Sequence, residues 1–224
     1  LVKDEILKIP PLGIYGIHPT RLPQGRGRAP IPWTIIKGIK DSAITLFSLE
    51  GPADSGDIIA QKSFTIELND DAESIWEKVI QLHKEILIEN IELLLNGKAP
   101  RIKQDESLAT YWEKRNPEGG IIDWRKSNLE QYNRIRGLTQ PYPGAFTAYK
   151  GRKITFWKVR LEERDLNPIH KPGEIVVDGK KRAVLVATTD GYLRLINVQF
   201  ENGSKADPFK LINKGEIREG DIFE

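Results

Sequence analysis

Between Asp71 and Leu95, apolar residues recur at Ile75, Val79, Leu82, Ile86, Ile91 and Leu95, which predicts one long amphipathic helix. Asn69-Asp70-Asp71 offers N-capping oxygens and Gly97 a stop. Leu1–Pro11 reads as a short helical segment closed by Pro10-Pro11, and Leu12–Ile17 as a buried strand. His18–Pro32 is a loop dense in Pro, Gly and Arg, and Trp33–Lys37 is part of a helix ended by Gly38. Ser42–Leu49 and Ile58–Glu67 are strand-like and flank a turn over Glu50–Asp57. Lys98–Gly120 is polar and irregular, and Ser127–Gly137 forms a second helix capped by Ser127 or Asn128. After Gly144 the texture is β throughout, and no helix is expected beyond Phe146. Ala145–Tyr149, Lys153–Leu161, Glu174–Val177, Arg182–Thr188 and Tyr192–Phe200 are the predicted strands. Lys150-Gly151-Arg152, Asp178-Gly179 and Asp190-Gly191 are the turns between them.

This pattern divides the chain into an α/β part over 1–105, a linker with a helix over 106–144, and a β module over 145–224. Charge adds an exclusion. Among 224 residues, 34 are basic and 32 acidic, a net charge of +2. Residues 1–150 carry 20 of each sign, and residues 151–224 carry 14 basic and 12 acidic side chains. No half is a polycation, so charge alone does not predict a nucleic-acid partner. No apolar run approaches the roughly 20 residues that cross a bilayer, and no signal-peptide pattern opens the chain. A soluble, cytoplasmic protein without a membrane partner is expected. Cysteine is absent, which removes disulfides, thiolate metal sites and cysteine nucleophiles. Methionine is absent too, so the sequence reads as a piece of a longer polypeptide.

Only three histidines are present. His83 lies within the long helix and His170 in a Pro-bounded loop. His18 sits where a strand meets a Gly/Pro loop, the place where open α/β sheets put their sites; a structural loop histidine is the alternative. Asp54-Ser55-Gly56-Asp57 is a second strand-end loop, readable as an ordinary turn or as the source of a carboxylate that orients a general base. The loop arginines around Gly25-Arg26-Gly27 fit no phosphate-binding signature and are either solvated or anion-holding.

The run His18-Pro-Thr-Arg-Leu-Pro-Gln-Gly-Arg-Gly-Arg-Ala-Pro-Ile-Pro-Trp33 resembles the catalytic loop of the folate-dependent formyltransferases. Thr45 to Gly56 resembles that family's second motif, with Asp54 in the catalytic aspartate slot. Arg115-Asn-Pro-Glu-Gly-Gly-Ile-Ile-Asp-Trp124 and Ile135-Arg-Gly-Leu-Thr-Gln-Pro-Tyr-Pro-Gly-Ala-Phe146 are similar to its linker and the entry to its C-terminal barrel. The resemblance implies an α/β fold: a partial Rossmann-like formyltransferase domain, then a small open OB-like β-barrel. It implies His18 and Asp54 as catalytic residues, Gly51, Pro52 and Ala53 beside the co-substrate 10-formyltetrahydrofolate, and no metal. Two departures stand out. The family's first β/α units are missing upstream of Leu1, and the Asn it places two residues before the His is Gly16 here.

Family members formylate aminoacyl-tRNA or nucleotide-linked amino sugars. Pro117–Trp124 and Leu138–Gly144 look closer to the sugar-nucleotide branch, so a UDP- or dTDP-linked aminodeoxyhexose is the expected acceptor, for surface-glycan synthesis. Arg115 and Arg136 are then candidates for its diphosphate. Trp112, Trp124 and Tyr142 are candidates for its sugar or base, with core packing the alternative for each. A methionyl-tRNA formyltransferase and a non-catalytic binding remnant are the competing readings. Apolar strands of the β module could pair across a homodimer.

Overall fold

Ser42 to Ser48 is buried along its whole length, as befits a strand covered on both faces, and it forms the middle of a sheet. The computed structural model describes residues 3–162 and 170–224. The chain divides into two units, Leu1–Thr34 with Ile39–Arg115, and Ile35–Gly38 with Asn116–Glu224.

In the first unit, after a four-residue helix α1 (Asp4–Leu7), strands β1 (Tyr15–His18), β3 (Asp41–Ser48) and β4 (Ile58–Thr65) form an antiparallel sheet in the order β1-β3-β4. Leu12–Ile17 was the expected first strand. The strand starts later and takes in His18, while Leu12 is exposed. Between β1 and β3 lie β2 (Arg26–Gly27) and helix α2 (Pro30–Ile36). α2 begins earlier than its apolar residues suggest because Pro30 presets the helical φ and needs no N–H partner in the first turn.

Helix α3 (Ala72–Leu95) packs on β3 and β4. Asp71 and Ser74 close a capping box at its start, and Gly97, at φ +64°, follows its end. Ile75, Val79 and Ile86 are buried as expected, but Ile91 and Leu95 are exposed and Leu94 is buried instead. Ile91 lies five positions after Ile86, so at about 100° per residue it has turned off the core face. A two-residue strand β5 (Tyr111–Trp112) pairs in parallel with β2, inside stretches expected to be irregular. The unit is thus mixed α/β, built on an antiparallel three-stranded sheet.

Asp70 pins the start of α3. Burial pushes its carboxyl up, but the Lys78 ammonium at 2.5 Å, the Glu67 N–H and the Ser74 hydroxyl outweigh this and hold it below the usual carboxylate range. A lowered folded-state pKa stabilises above the unfolded value of about 3.9. That contribution disappears as pH falls through the folded value. Asp70→Asn is therefore expected to cost about 2 kcal/mol in urea unfolding at pH 7. The gap to the parent should close below about pH 4. A pH-independent gap would remove the ion pair as its cause.

In the second unit, α4 (Asn128–Leu138) starts at a capping box of Ser127 and Glu130. Strands β6 (Ala145–Tyr149), β7 (Arg152–Glu162), β8 (Ile175–Asp178), β9 (Ala183–Ala187) and β10 (Tyr192–Phe200) form an antiparallel sheet in the order β6-β7-β10-β9-β8. The β6–β7 turn is Lys150-Gly151 with φ +50° and +73°, the positive-φ pair of a two-residue hairpin. Among the described residues β6 and β8 share no ladder, so the sheet of this module, expected as an open OB-like barrel, is not closed. The chain end lies along both edges: Ile175 N–H donates to Asp221 O at 2.8 Å, and Glu224 N–H to Ala148 O at 2.9 Å. The expectation of no helix beyond Phe146 fails. α5 (Pro208–Asn213) forms where Asp207 caps and Pro208 initiates a short helix. Trp124, Phe156 and Phe223 meet at ring distances of 5.3–5.9 Å in this unit's core. Trp124 is thus a packing residue. Among the described residues no helix is long and apolar enough to cross a membrane.

Candidate active site

His18 ends β1 opposite Thr45 of β3, and it is 7% exposed. Its Nε2 lies 2.9 Å from the Gly25 carbonyl. A carbonyl only accepts, so Nε2 carries the proton and Nδ1 keeps a lone pair. Nδ1 faces Asp54 Oδ2 at 3.7 Å, an ion-pair distance rather than a hydrogen bond. The ring is therefore oriented by Gly25, while Asp54 supplies charge. Asp54 stands on the β3–β4 loop at φ +57°, a left-handed conformation Asp tolerates better than most residues. Its Oδ2 accepts the Gly27 N–H at 2.8 Å. Gln104 Nε2 donates to the carbonyls of Asp54 (2.8 Å) and Gly56 (2.7 Å).

The loop arginines take different positions. Arg21 and Arg28 are exposed, but Arg26 is wholly buried, neither solvated nor open to an anion. Its guanidinium donates to Glu106 at 2.7 and 2.9 Å, to Gln104 Oε1 at 2.8 and 3.1 Å and to Tyr111 at 2.8 Å. The Glu106 carboxylate, against the cost of burial, holds the guanidinium above its ordinary range. Gly25 N–H donates to Thr110 Oγ1 at 2.9 Å, and the Trp112 ring lies against Gly25. None of the partners Gln104, Glu106 and Thr110 was singled out from sequence. Their segment has no periodicity, and their role depends on contacts to residues about 80 positions away.

Gly51, Pro52 and Ala53 line a cavity of about 390 Å³ with Leu7, Phe47, Leu49, Glu50 and Asp54. A second cavity of about 570 Å³ shares Leu7, Leu49, Glu50 and Gly51 and continues past Tyr15 and Arg101. The Ser48 hydroxyl first, then Arg101, hold the Glu50 carboxyl below its usual range. A lining that combines apolar side chains with the Glu50 and Asp54 carboxylates suits a flat ring bearing N–H donors. A Cβ on Gly16 would stand 2.8 Å from Leu49 Cδ2, so Leu49 occupies the space an Asn side chain needs. Among the described residues no acidic or histidine cluster is arranged for a metal.

The expected acceptor residues are distributed between the units. Trp112 and Arg115 belong to the first, where the Arg115 guanidinium lies 5.0 Å from the centre of the Trp33 ring. Arg136 and Tyr142 belong to the second. Arg136 is 8% exposed, donates to Asn133 Oδ1 at 2.8 Å and lies over Tyr132, which makes it a packed helix residue. Tyr142 is half-buried, and burial raises its phenol pKa. His83 is partly buried with its pKa lowered by burial, and His170 Nδ1 lies 2.7 Å from the Tyr192 hydroxyl.

Comparison with known proteins is decisive for the family. The profile Formyl transferase matches residues 1–91, and Formyl transferase, C-terminal domain, matches 114–215. A methionyl-tRNA formyltransferase of Carboxydothermus hydrogenoformans is 35% identical over 224 residues, all of this chain and 71% of that protein. The chain belongs to the folate-dependent formyltransferase family. Two solved structures share the fold at lower identity. HypX from Aquifex aeolicus in complex with tetrahydrofolic acid has a TM-score of 0.69 at 22% identity, over 89% of this chain and 35% of that one. An N-formyltransferase from Helicobacter canadensis, in complex with folinic acid and dTDP-3-aminofucose, has a TM-score of 0.66 at 18% identity, over 86% of this chain and 66% of that one. The chain thus spans about a third of the HypX chain.

Proposed function

We propose that this chain carries the catalytic pair of an N-formyltransferase that moves a formyl group from 10-formyltetrahydrofolate to the amine of a nucleotide-linked amino sugar. The observation that carries the reading is a buried His18, its Nδ1 free and facing the Asp54 carboxylate, with Asp54 in the wall of the 390 Å³ cavity. The co-substrate supplies an activated formyl carbon. Leu7, Phe47, Leu49 and Pro52 would flank its ring, with Gly51 and Ala53 giving backbone close approach. As the amine nitrogen bonds to the formyl carbon, His18 takes the proton the amine must release, through Nδ1. The bond from that carbon to N10 then breaks, and N10 leaves with this proton as tetrahydrofolate, which returns His18 to its neutral form. Asp54 stabilises the imidazolium so formed, and the Gly25 carbonyl keeps the ring from turning. With Gly16 in place of an amide donor, protonated His18 also faces the charge that builds on the formyl oxygen.

A nucleotide sugar as acceptor is supported by the near-neutral β module, 14 basic against 12 acidic residues over 151–224, which makes few phosphate contacts available to a tRNA. The 35% identity to a methionyl-tRNA formyltransferase favours aminoacyl-tRNA as the second reading. Thermal unfolding of the full-length polypeptide separates the two. dTDP or UDP at 100 times its Kd is expected to stabilise by about 2.7 kcal/mol, with no initiator-tRNA binding at physiological salt. Tight tRNA binding without a nucleotide response would establish the second reading.

A further inference from the structure

We infer that Gln104 is a positioning residue for the His18–Asp54 pair, anchored by the buried Arg26. This rests on the catalytic reading above. The Gln104 amide uses both ends. Oε1 accepts from Arg26 Nε at 3.1 Å and Nη2 at 2.8 Å, so the orientation of the amide is set by an always-charged donor. Nε2 is thereby turned to the Asp54 and Gly56 carbonyls, at 2.8 and 2.7 Å. These two contacts tie down the turn that carries the Asp54 carboxylate in its left-handed conformation.

The anchor is itself part of the site. Arg26 lies between Gly25, whose carbonyl orients His18, and Gly27, whose N–H holds Asp54. Glu106 and Tyr111 fix the far side of its guanidinium. One three-residue segment thus touches the base through its first residue, the carboxylate through its third, and the carboxylate's own turn through the side chain of its second and Gln104. A displacement of about 1 Å at a reacting group can cost up to 100-fold in rate, which is the scale on which this linkage acts. Gln104 itself touches neither His18 nor the Asp54 carboxylate, so its effect passes through backbone geometry.

Gln104→Glu in the full-length polypeptide keeps an acceptor for Arg26 and removes both N–H donors. It is expected to lower kcat about 10- to 100-fold while KM for donor and acceptor changes less than about threefold, because binding groups stay in place. The His18 ring resonances should shift in nitrogen-15 spectra while those of His83 and His170, the other histidines of these 224 residues, remain. Gln104→Ala, which leaves room for water, is the second variant should the glutamate prevent folding. Parent-like kcat in a folded variant, or reduced kcat with unmoved His18 resonances, overturns the positioning role. His18→Ala is measured alongside. If it formylates normally the catalytic reading fails, and the His18 resonances of the Gln104 variants still decide the linkage without turnover.

Discussion

His18→Ala is expected to lower kcat of the full-length polypeptide by about two orders of magnitude or more, the scale of a positioned general base. The magnitude follows from the site's geometry. Nε2 is committed to Gly25 O at 2.9 Å, so Nδ1 is the nitrogen able to receive a proton. Asp54→Asn is the sharper test, because an amide oxygen in place of Oδ2 still accepts the Gly27 N–H. That variant removes charge while keeping the contact, and its expected loss is of the same order because the imidazolium loses the anion 3.7 Å away. The two groups act as one unit, so the double variant should be little worse than either single one. Steady-state kinetics with a formyl donor and an amine acceptor checks all three. Normal turnover by His18→Ala would reduce the family relationship to one of fold.

Gly27→Ala carries the largest expected loss of stability together with a loss of rate. Gly27 has φ +106°, and an added Cβ would lie 2.3 Å from the backbone oxygen of Trp112, its partner strand. Neither atom belongs to a flexible side chain, so β2 and β5 must separate. Overpacking and the unfavourable φ together are expected to cost about 3 kcal/mol, a fall in Tm of roughly 10 °C. Separation also withdraws the Gly27 N–H from Asp54, so kcat should fall even at temperatures where the variant is folded. Gly151→Ala is the control, since Gly151 also has positive φ (+73°) but nothing within 4 Å. It should cost only about 1–2 kcal/mol and leave kcat unchanged. Equal losses of stability in the two variants would mean that the Trp112 clash contributes nothing.

Elements whose causes are local are legible in the sequence. The long helix declares itself by a cap, a periodic stripe and a glycine stop, all within one stretch of chain. The Lys150-Gly151 hairpin does so by turn chemistry. Local signals compete elsewhere: Asp207-Pro208 starts a helix inside a β-rich region, and the apolar stripe of α3 runs past the point where the helix rotates away from the core. The site was half legible. His18 and the Asp54 loop stand out as chemistry at two strand ends and through a family resemblance, whereas the burial of Arg26 does not. Its burial depends on Glu106 and Tyr111, 80 and 85 residues along the chain.

By itself, the sequence determined the helices with strong caps and the strands after Gly144, and it singled out the two residues on which the proposed reaction turns. Only the tertiary structure decided which nitrogen of His18 is free, that Asp54 stands at ion-pair rather than hydrogen-bond distance, and that Gln104 links Arg26 to the Asp54 turn. The reason is physical. Caps, turns and periodicity are written into neighbouring residues, but a carbonyl's choice of ring nitrogen and a buried guanidinium's choice of partners exist only once distant segments have folded against each other.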